Sequence, residues 1–239
     1  MRISEADLPD IASSTEIYVR RFEGCTGAWL LSVQTEAILS GLSGIVPGYA
    51  LDIGGGHMQV TPPLLHQGWR VTTLISAPSA GTLLRARLGL DADIVTGDLD
   101  ATGFDERSFD AVVAMRMMAH VRDWRAFLVA ACARSRDVVI IDFPRSRRVP
   151  LISELLFRLK KTFEGDTRAY ATMTLAEVSG VLEAQGFEIR ERTGQFVLPM
   201  VLHRFLKRPR LSRYLERRLR FLAPSLGSPM ILCARRKVP

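Results

Sequence analysis

Hydrophobic and polar positions follow two different periods along the chain. Short apolar runs, rich in the β-branched residues that favour strands, occur at residues 50–53, 70–75, 93–95, 110–114 and 138–142. Helical patterns lie between these runs at residues 62–67, 80–88 and 124–133, and another precedes them at 28–42. Alternation of this kind, with strands as continuously apolar as VVII at 138–141, predicts a parallel sheet covered by helices on both faces.

The alternation is interrupted twice in the second half of the chain. Residues 144–173 are polar, basic and partly helical, and after a helix at 175–185 and a strand from Phe187 a second irregular stretch covers 198–227. A last strand is expected at 229–234. Ligands of parallel sheets bind beyond the carboxyl ends of the strands, so both stretches are expected there as cap segments. Alternatively, they are surface helices that do not contact substrate.

Composition narrows the class of protein. The 239 residues are 47% hydrophobic, and no repeat or linker divides them, which predicts one domain over residues 1–239. Cys25, Cys132 and Cys233 lack the spacing of a disulfide framework or a zinc site, so we expect no metal and a reducing cytoplasm. Residues 1–10 carry acids rather than a basic and then apolar leader, and no apolar run approaches the roughly 20 residues of a membrane span. The sequence therefore predicts neither export nor a transmembrane segment.

The net charge of +7 is concentrated in one segment. Residues 203–220 contain a single acid, Glu216, and eight cations: Arg204, Lys207, Arg208, Arg210, Arg213, Arg217, Arg218 and Arg220. This excess of seven positive charges equals the net charge of the whole chain, so positive and negative charges balance in the rest of the sequence. A protein that binds along a phosphate backbone would instead carry its basic residues over an extended surface. Only Tyr214 and Phe221 interleave as aromatic platforms, so nucleic-acid binding is not expected.

The basic segment is also amphipathic. Apolar residues recur at helical spacing, and four arginines form a separate stripe: Leu211, Tyr214, Leu215, Leu219 and Leu222 against Arg210, Arg213, Arg217 and Arg220. A basic helix over residues 210–222 is typical of peripheral contact with an anionic membrane, or of an acidic, lipid-linked substrate. A solvated helix packed on the sheet would have the same pattern.

The stretch ALDIGGGHMQV, residues 50–60, combines a strand, an acid and three glycines. Glycine permits a positive φ and close approach of a ligand to the backbone, and a helix N-terminus offers free N–H groups to an anion. The dinucleotide pattern G-x-G-x-x-G would need glycine where Gln59 stands, which weakens that interpretation.

With Asp52 before Gly54 and Gly56, the stretch resembles motif I of the class I S-adenosylmethionine-dependent methyltransferases. Further segments resemble that family in the same order: YVRRFEG at 18–24, GDLD at 97–100, SFDAVVAMRMMAHVRDW at 108–124, TMTLAEVSGVLEAQGFEI at 172–189 and GSPMILCARR at 227–236. The resemblance implies an α/β fold with a Rossmann-like seven-stranded sheet, mostly parallel, with its last strand antiparallel. It also implies helical cap insertions, with cap or substrate segments near 1–30, 144–173 and 198–227, and S-adenosylmethionine as cofactor.

The resemblance also assigns cofactor-binding residues. Gly54 and Gly56 would approach the methionine part of the cofactor, while Asp52 would support the loop or meet the cofactor's amino group. Asp98 would accept a hydrogen bond from the adenine amine, and Leu99 would lie against the ring. The remaining positions are Met115 and Arg116 on the far side, and Tyr18 in the segment that closes over the cofactor.

Two positions depart from the family pattern. Met58 replaces a third small residue, and the second strand ends in Ile75 and Ser76 rather than in the acid that would hold both ribose hydroxyls. A neutral hydrogen bond contributes about 1 kcal/mol and one to a charged group about 1.5–3 kcal/mol, so Ser76 replaces that acid only in part. We expect weaker cofactor binding, or a ribose held by a residue elsewhere.

Methyl transfer to a hydroxyl or an amine requires alignment and removal of a proton. His120, in the loop after the fourth strand, and His203 are the candidate bases, although a histidine beside apolar residues is more often a hydrogen-bonded core residue. His57 is interpreted as a loop-packing residue or a cofactor neighbour. Candidate substrate-binding residues are Arg204 and, in a polar lid or merely a solvated loop at 160–173, Glu164, Arg168 and Tyr170.

These patterns favour methyl transfer from S-adenosylmethionine to an oxygen or nitrogen of a small or lipid-like, anionic metabolite. One alternative is a non-catalytic methyltransferase-like binding protein. The other is an NADP-dependent oxidoreductase, because the missing acid after the second strand also suits the phosphorylated ribose of NADP. The expected location is the cytoplasm, including the membrane periphery. The acceptor atom and the oligomeric state stay open at this point.

Overall fold

Seven strands form one sheet in a computed structural model that describes residue 8 and residues 10–89, 93–145 and 172–237. The strands are β1 (Tyr49–Ile53), β2 (Arg70–Ile75), β3 (Asp93–Thr96), β4 (Phe109–Ala114), β5 (Ser135–Phe143), β6 (Phe187–Gly194) and β7 (Met230–Arg236). Their order across the sheet is β3-β2-β1-β4-β5-β7-β6, and β7 runs antiparallel to the other six strands. The predicted fold class, a mostly parallel seven-stranded sheet with its last strand antiparallel, is confirmed.

Nine α-helices occur in the described residues. They are α1 (Glu16–Arg20), α2 (Gly24–Gly41), α3 (Thr61–His66), α4 (Thr82–Leu88), α5 (Trp124–Arg134), α6 (Leu175–Ala184), α7 (Met200–Leu206), α8 (Pro209–Leu219) and α9 (Ala223–Leu226). Local capping fixes where two of them begin. Asp123 accepts hydrogen bonds from the backbone of Arg125 and Ala126 at the start of α5, and Thr174 and Glu177 form a capping box at the start of α6.

Both faces of the sheet are buried under helices. Successive strand residues point to opposite faces, so Leu51 and Val112 pack on the side of α5 and α6. Ala50 and Val113 pack on the side of α2 and α3. No helix in the described ranges is both long and apolar enough to cross a membrane.

Helix α2 begins four residues before the predicted start at residue 28. The sequence does not predict this start because Gly24 and Gly27 lie in the first turns of the helix and glycine is a poor helix former. Gly27 is needed for packing: a Cβ there would lie 2.1 Å from the carbonyl carbon of Phe22. The chain before α2 therefore folds back tightly over the helix, at the carboxyl edge of the sheet.

Candidate functional site

The glycine stretch forms a tight loop at the carboxyl end of β1. Gly54 has φ +74° and its N–H donates to the carbonyl of Leu74 on the neighbouring strand at 2.8 Å. A Cβ on Gly54 would lie 2.2 Å from the Sδ of Met117, and one on Gly56 would lie 2.3 Å from the Oγ of Ser14. Both glycines are thus required by the protein's own packing, and Gly54 also lines the neighbouring pocket.

Met58 ends this loop in the left-handed conformation, with φ +59°. Glycine adopts such a conformation without strain, so a small residue would suit this position better. The Met58 side chain instead packs against the cluster formed by Ile75, Ala80 and Leu84.

Asp52 lies beneath the loop and is completely buried. Its Oδ2 accepts a hydrogen bond from Thr61 at 2.7 Å, and the hydroxyl of Thr73 lies 2.9 Å from that of Thr61. Its Oδ1 has no hydrogen-bond partner within the described part of the chain. Burial raises the pKa of Asp52 to about 7, although the bonds from Thr61 oppose the shift. Of the two expected roles, these contacts match support of the loop.

A pocket of about 180 Å³, partly open to solvent, lies beside the loop. It brings together four of the residues that the sequence singled out: Gly54, Ser76, Asp98 and Leu99. They come from the ends of β1, β2 and β3, which meet at one edge because these strands are parallel. Leu99 is buried, while Asp98 is exposed and accepts a hydrogen bond from the backbone of Asp100 at 3.2 Å. Because the sequence resemblance would place the adenosyl group here, we call this pocket the adenosyl end.

Asp10 belongs to the same pocket and was missed by the sequence analysis. It is 1% exposed, and its Oδ2 accepts a hydrogen bond from the backbone N–H of Ser76 at 2.9 Å. Its Oδ1 accepts a second hydrogen bond from the Ser76 hydroxyl. No local pattern relates these residues, because 66 positions separate them in the sequence.

A second polar cluster, centred on Arg116, lies at the carboxyl end of β4. The guanidinium donates to the side chains of Gln59 and Gln34, each at 3.2 Å, and lies 5.1 Å from the ring centre of Phe22. The backbone N–H of Arg116 donates to Asp142 at 2.5 Å. Burial raises the pKa of Asp142, and the positive charge of Arg116 opposes that shift.

His57 connects the glycine loop to this cluster. Its Nδ1 accepts a hydrogen bond from the backbone of Gln59 at 3.1 Å, so the proton is on Nε2, which donates to the carbonyl of buried Met115 at 3.4 Å. Burial lowers the pKa of His57 to about 4, and the charge of Arg116 adds to the effect. His57 is therefore neutral at pH 7, with the contacts of a loop-packing residue.

His120 is half-buried in the loop between β4 and α5. Its backbone N–H donates to the carbonyl of Met117 at 2.8 Å, and the next residue, Val121, lines the adenosyl end. Because the sequence resemblance would place the methyl acceptor near this loop, we call the region of Arg116 and His120 the acceptor end. Tyr18 lies near it, half-buried, with its ring centre 5.6 Å from that of Phe22.

His203 is completely buried, and its contacts are those of a hydrogen-bonded core residue. Its Nε2 lies 2.8 Å from Glu216, and its ring meets the edge of Trp29 at 5.1 Å between centres. Burial raises the pKa of Glu216, but the hydrogen bonds from His203 and from two backbone N–H groups outweigh it and leave the pKa lowered.

The segment between β6 and β7 covers the carboxyl edge with α7, α8 and α9. Its single acid, Glu216, is bonded inward, whereas the cations of α8 and its flanks point outward. Phe205 and Phe221 are about three-quarters exposed, at 73% and 75%, and Tyr214 is 54% exposed. Arg204 is half-buried on α7. The other expected substrate residues, Glu164, Arg168 and Tyr170, lie outside the described residues.

Comparison with known proteins gives a family match at the glycine loop and the strands around it. Residues 51–135 match a family described as a methyltransferase domain. A ubiquinone biosynthesis O-methyltransferase from Methylobacterium sp. (strain 4-46) is 34% identical over 89 residues, which cover 36% of this chain and 36% of that protein. The matched region thus spans only about a third of the relative's length.

Two solved structures resemble nearly the whole chain. The magnesium protoporphyrin IX methyltransferase of Synechocystis PCC 6803, solved with bound SAH, has a TM-score of 0.63 and 17% identity, over 98% of this chain and 100% of that one. A geranyl diphosphate methyltransferase solved with GPP and sinefungin has a TM-score of 0.58 and 16% identity, over 86% of this chain and 77% of that one. Identities this low demonstrate a shared fold and not a shared substrate.

Proposed function

We propose that the chain is a class I S-adenosylmethionine-dependent methyltransferase, as its glycine stretch predicts, and that it methylates an oxygen or nitrogen of a small or lipid-like, anionic metabolite. One observation carries the proposal: Gly54, Ser76, Asp98 and Leu99 line a single pocket at the carboxyl edge. Ligands of parallel sheets bind at that edge.

The chemistry of the adenosyl end suits the cofactor. Leu99 and the neighbouring apolar walls from Leu74 and Phe127 match a flat, apolar base, and the exposed carboxylate of Asp98 matches its amine edge. The backbone at Gly54, where a Cβ would not fit, forms the wall next to them. When bound, S-adenosylmethionine supplies an electrophilic methyl group on a sulfonium.

At the acceptor end we assign His120 as the base that takes the proton of the acceptor hydroxyl or amine. His120 follows β4 in the loop whose next residue lines the pocket, whereas His203 is completely buried against Trp29. His203 then acts as a positioning residue of the cap. Met115 and Arg116 are proposed to separate the two ends, and Tyr18 is proposed to close over the cofactor.

The acceptor's class is suggested by the cap. Arg204, together with Glu164, Arg168 and Tyr170, is proposed to bind a polar or anionic substrate group. The similar geranyl diphosphate methyltransferase acts on a lipid-like anion, so the fold is compatible with such an acceptor.

We further propose that the surface of α7 and α8 holds this protein at an anionic membrane in the cytoplasm. Exposed Phe205 and Phe221 are flanked by seven exposed cations, Lys207, Arg208, Arg210, Arg213, Arg217, Arg218 and Arg220. Aromatic side chains enter the interfacial region, and each nearby cation adds about 1 kcal/mol of attraction to anionic lipid.

A vesicle pull-down tests the membrane contact. The double variant Arg213→Ala/Arg217→Ala should bind phosphatidylserine-containing vesicles roughly 10- to 30-fold more weakly than the wild type. The control Arg87→Ala/Arg192→Ala removes the same charge from exposed positions outside this surface and should bind normally. Equal binding by both variants would exclude this surface.

Calorimetry with S-adenosylhomocysteine, S-adenosylmethionine and NADPH tests the main proposal. We expect both sulfur compounds to bind below roughly millimolar concentration. If neither binds, the chain is a non-catalytic binding protein, and selective binding of NADPH would make it an oxidoreductase.

A further inference from the structure

The carboxylate of Asp10 occupies the place where strand β2 lacks an acid. Both of its oxygens are bonded to Ser76, the residue directly after β2, through the backbone N–H at 2.9 Å and the hydroxyl. Asp10 is almost completely buried, yet it lines the pocket together with Gly54 and Asp98. A charged side chain is rarely buried in this way unless hydrogen-bond donors surround it.

The segment around Asp10 is fixed from two sides. Its carbonyl accepts hydrogen bonds from the hydroxyl of Ser13 and the backbone of Ser14, both at 3.0 Å, which closes a short 3₁₀ turn at Ala12–Ser14. The buried side chain of Ser14 is seated directly over Gly56. The same turn therefore rests on the glycine loop and directs the Asp10 carboxylate to the end of β2.

The carboxylate has acceptor capacity beyond its two bonds to Ser76. An ionised carboxyl group offers about four lone-pair sites, of which Ser76 uses two. A vicinal diol presents two hydroxyl donors, and hydrogen bonds to a charged acceptor are the stronger kind. In dinucleotide-binding folds, too, an acid near the end of β2 bonds the ribose hydroxyls.

We propose that Asp10 is the residue that binds the ribose diol of the adenosyl group, in place of an acid on β2 itself. This inference rests on the proposed function. In this arrangement Ser76 orients the carboxylate of Asp10 and is not itself the substitute for the missing acid of β2. Because Asp10 lies on the segment that covers Gly56, cofactor binding and the docking of this segment are coupled.

Ligand discrimination tests the inference more specifically than affinity alone. We expect the wild type to bind S-adenosylhomocysteine roughly 10- to 100-fold more tightly than its 2′-deoxy analogue in calorimetry. In Asp10→Ala, the two ligands should bind about equally, because the hydroxyl has lost its charged partner. Simple damage to the segment would weaken both ligands by the same factor and leave their ratio unchanged.

Two further variants sharpen the test. Asp105→Ala removes an exposed acid that does not line the pocket, and it should keep the full discrimination. Asp10→Ala/Ser76→Asp returns a carboxylate to the same pocket from the end of β2, and it should restore part of the discrimination.

The outcomes separate this inference from the proposed function. If the wild type binds S-adenosylhomocysteine but Asp10→Ala has the same ratio of affinities for this ligand and its 2′-deoxy analogue, the inference is wrong and the proposed function stands. Tighter binding by Asp10→Ala would also overturn it, since the carboxylate would then be blocking the site. If the wild type binds neither ligand, both proposals fail.

Discussion

The adenosyl end and the acceptor end are assembled in different ways. The adenosyl end takes most of its wall from residues at the ends of β1 and β2 and directly after β1, β2 and β3, so a short stretch of sequence supplies each part. The acceptor end brings together Phe22, Gln34, Gln59 and Arg116, which lie far apart in the chain and meet only because helix α2 covers the sheet edge. Local patterns therefore specify the pocket that we propose for the cofactor, whereas tertiary packing specifies the cluster that we propose for the acceptor.

The largest effect should come from the acceptor end. If His120 is the base, His120→Ala should lower single-turnover methyl transfer to an oxygen or nitrogen acceptor by about 10²- to 10⁴-fold. Its affinity for S-adenosylhomocysteine should stay within about twofold, because the adenosyl end is unchanged. His66→Ala, an exposed histidine at the end of α3, serves as the control. Near-normal turnover in His120→Ala would remove this histidine from the mechanism.

A pair of glycines tests the adenosyl end. Gly54 and Gly44 have similar left-handed conformations, with φ +74° and +78°, so the backbone strain of alanine alone should cost about 1–2 kcal/mol of folding stability at either position. Only at Gly54 would the new Cβ meet Met117, since nothing lies within 4 Å of that position at Gly44. Gly54→Ala should weaken S-adenosylhomocysteine binding roughly 10- to 100-fold, and Gly44→Ala should not. Equal binding by the two variants would contradict the close approach at Gly54.

The smallest effect concerns the network beneath the loop and is measured as stability against pH. The pKa of Asp52 rises from 3.8 to about 7 on folding, so its deprotonation removes stability as the pH increases through that range. His57 acts in the opposite direction, because its pKa falls from 6.5 to about 4 and stability is gained as the pH rises between these values. The contributions of Asp52 and His57 overlap between about pH 4 and 6.5, so the dependence of wild-type stability on pH does not separate them.

Asp52→Asn removes the titration of the carboxyl group and leaves that of His57. Measured by urea unfolding at pH 5, 6, 7 and 8, the stability of this variant relative to the wild type should increase by roughly 1 kcal/mol per pH unit up to about pH 7. Parallel curves for the two proteins would show that Asp52 does not titrate in this range.

The fold and the adenosyl end were largely predictable from the sequence, for a physical reason. Backbone geometry and hydrogen bonding select residues locally, and a short stretch of sequence shows the result. Examples are the continuous apolar strands, the glycines after Asp52 and the acid Asp98. Asp10 and Gln34 carry no such local pattern, because their roles arise only when distant segments dock. The start of α2 was misplaced for a related reason: its glycines serve a tertiary contact and not helix formation.

A crystal structure of the chain with S-adenosylhomocysteine would test the central claim most directly. We expect the adenine amine within about 3 Å of the Asp98 carboxylate and the base against Leu99. The ribose should face Ser76 and Asp10. An adenosyl group bound elsewhere, or an empty pocket at saturating ligand, would contradict it.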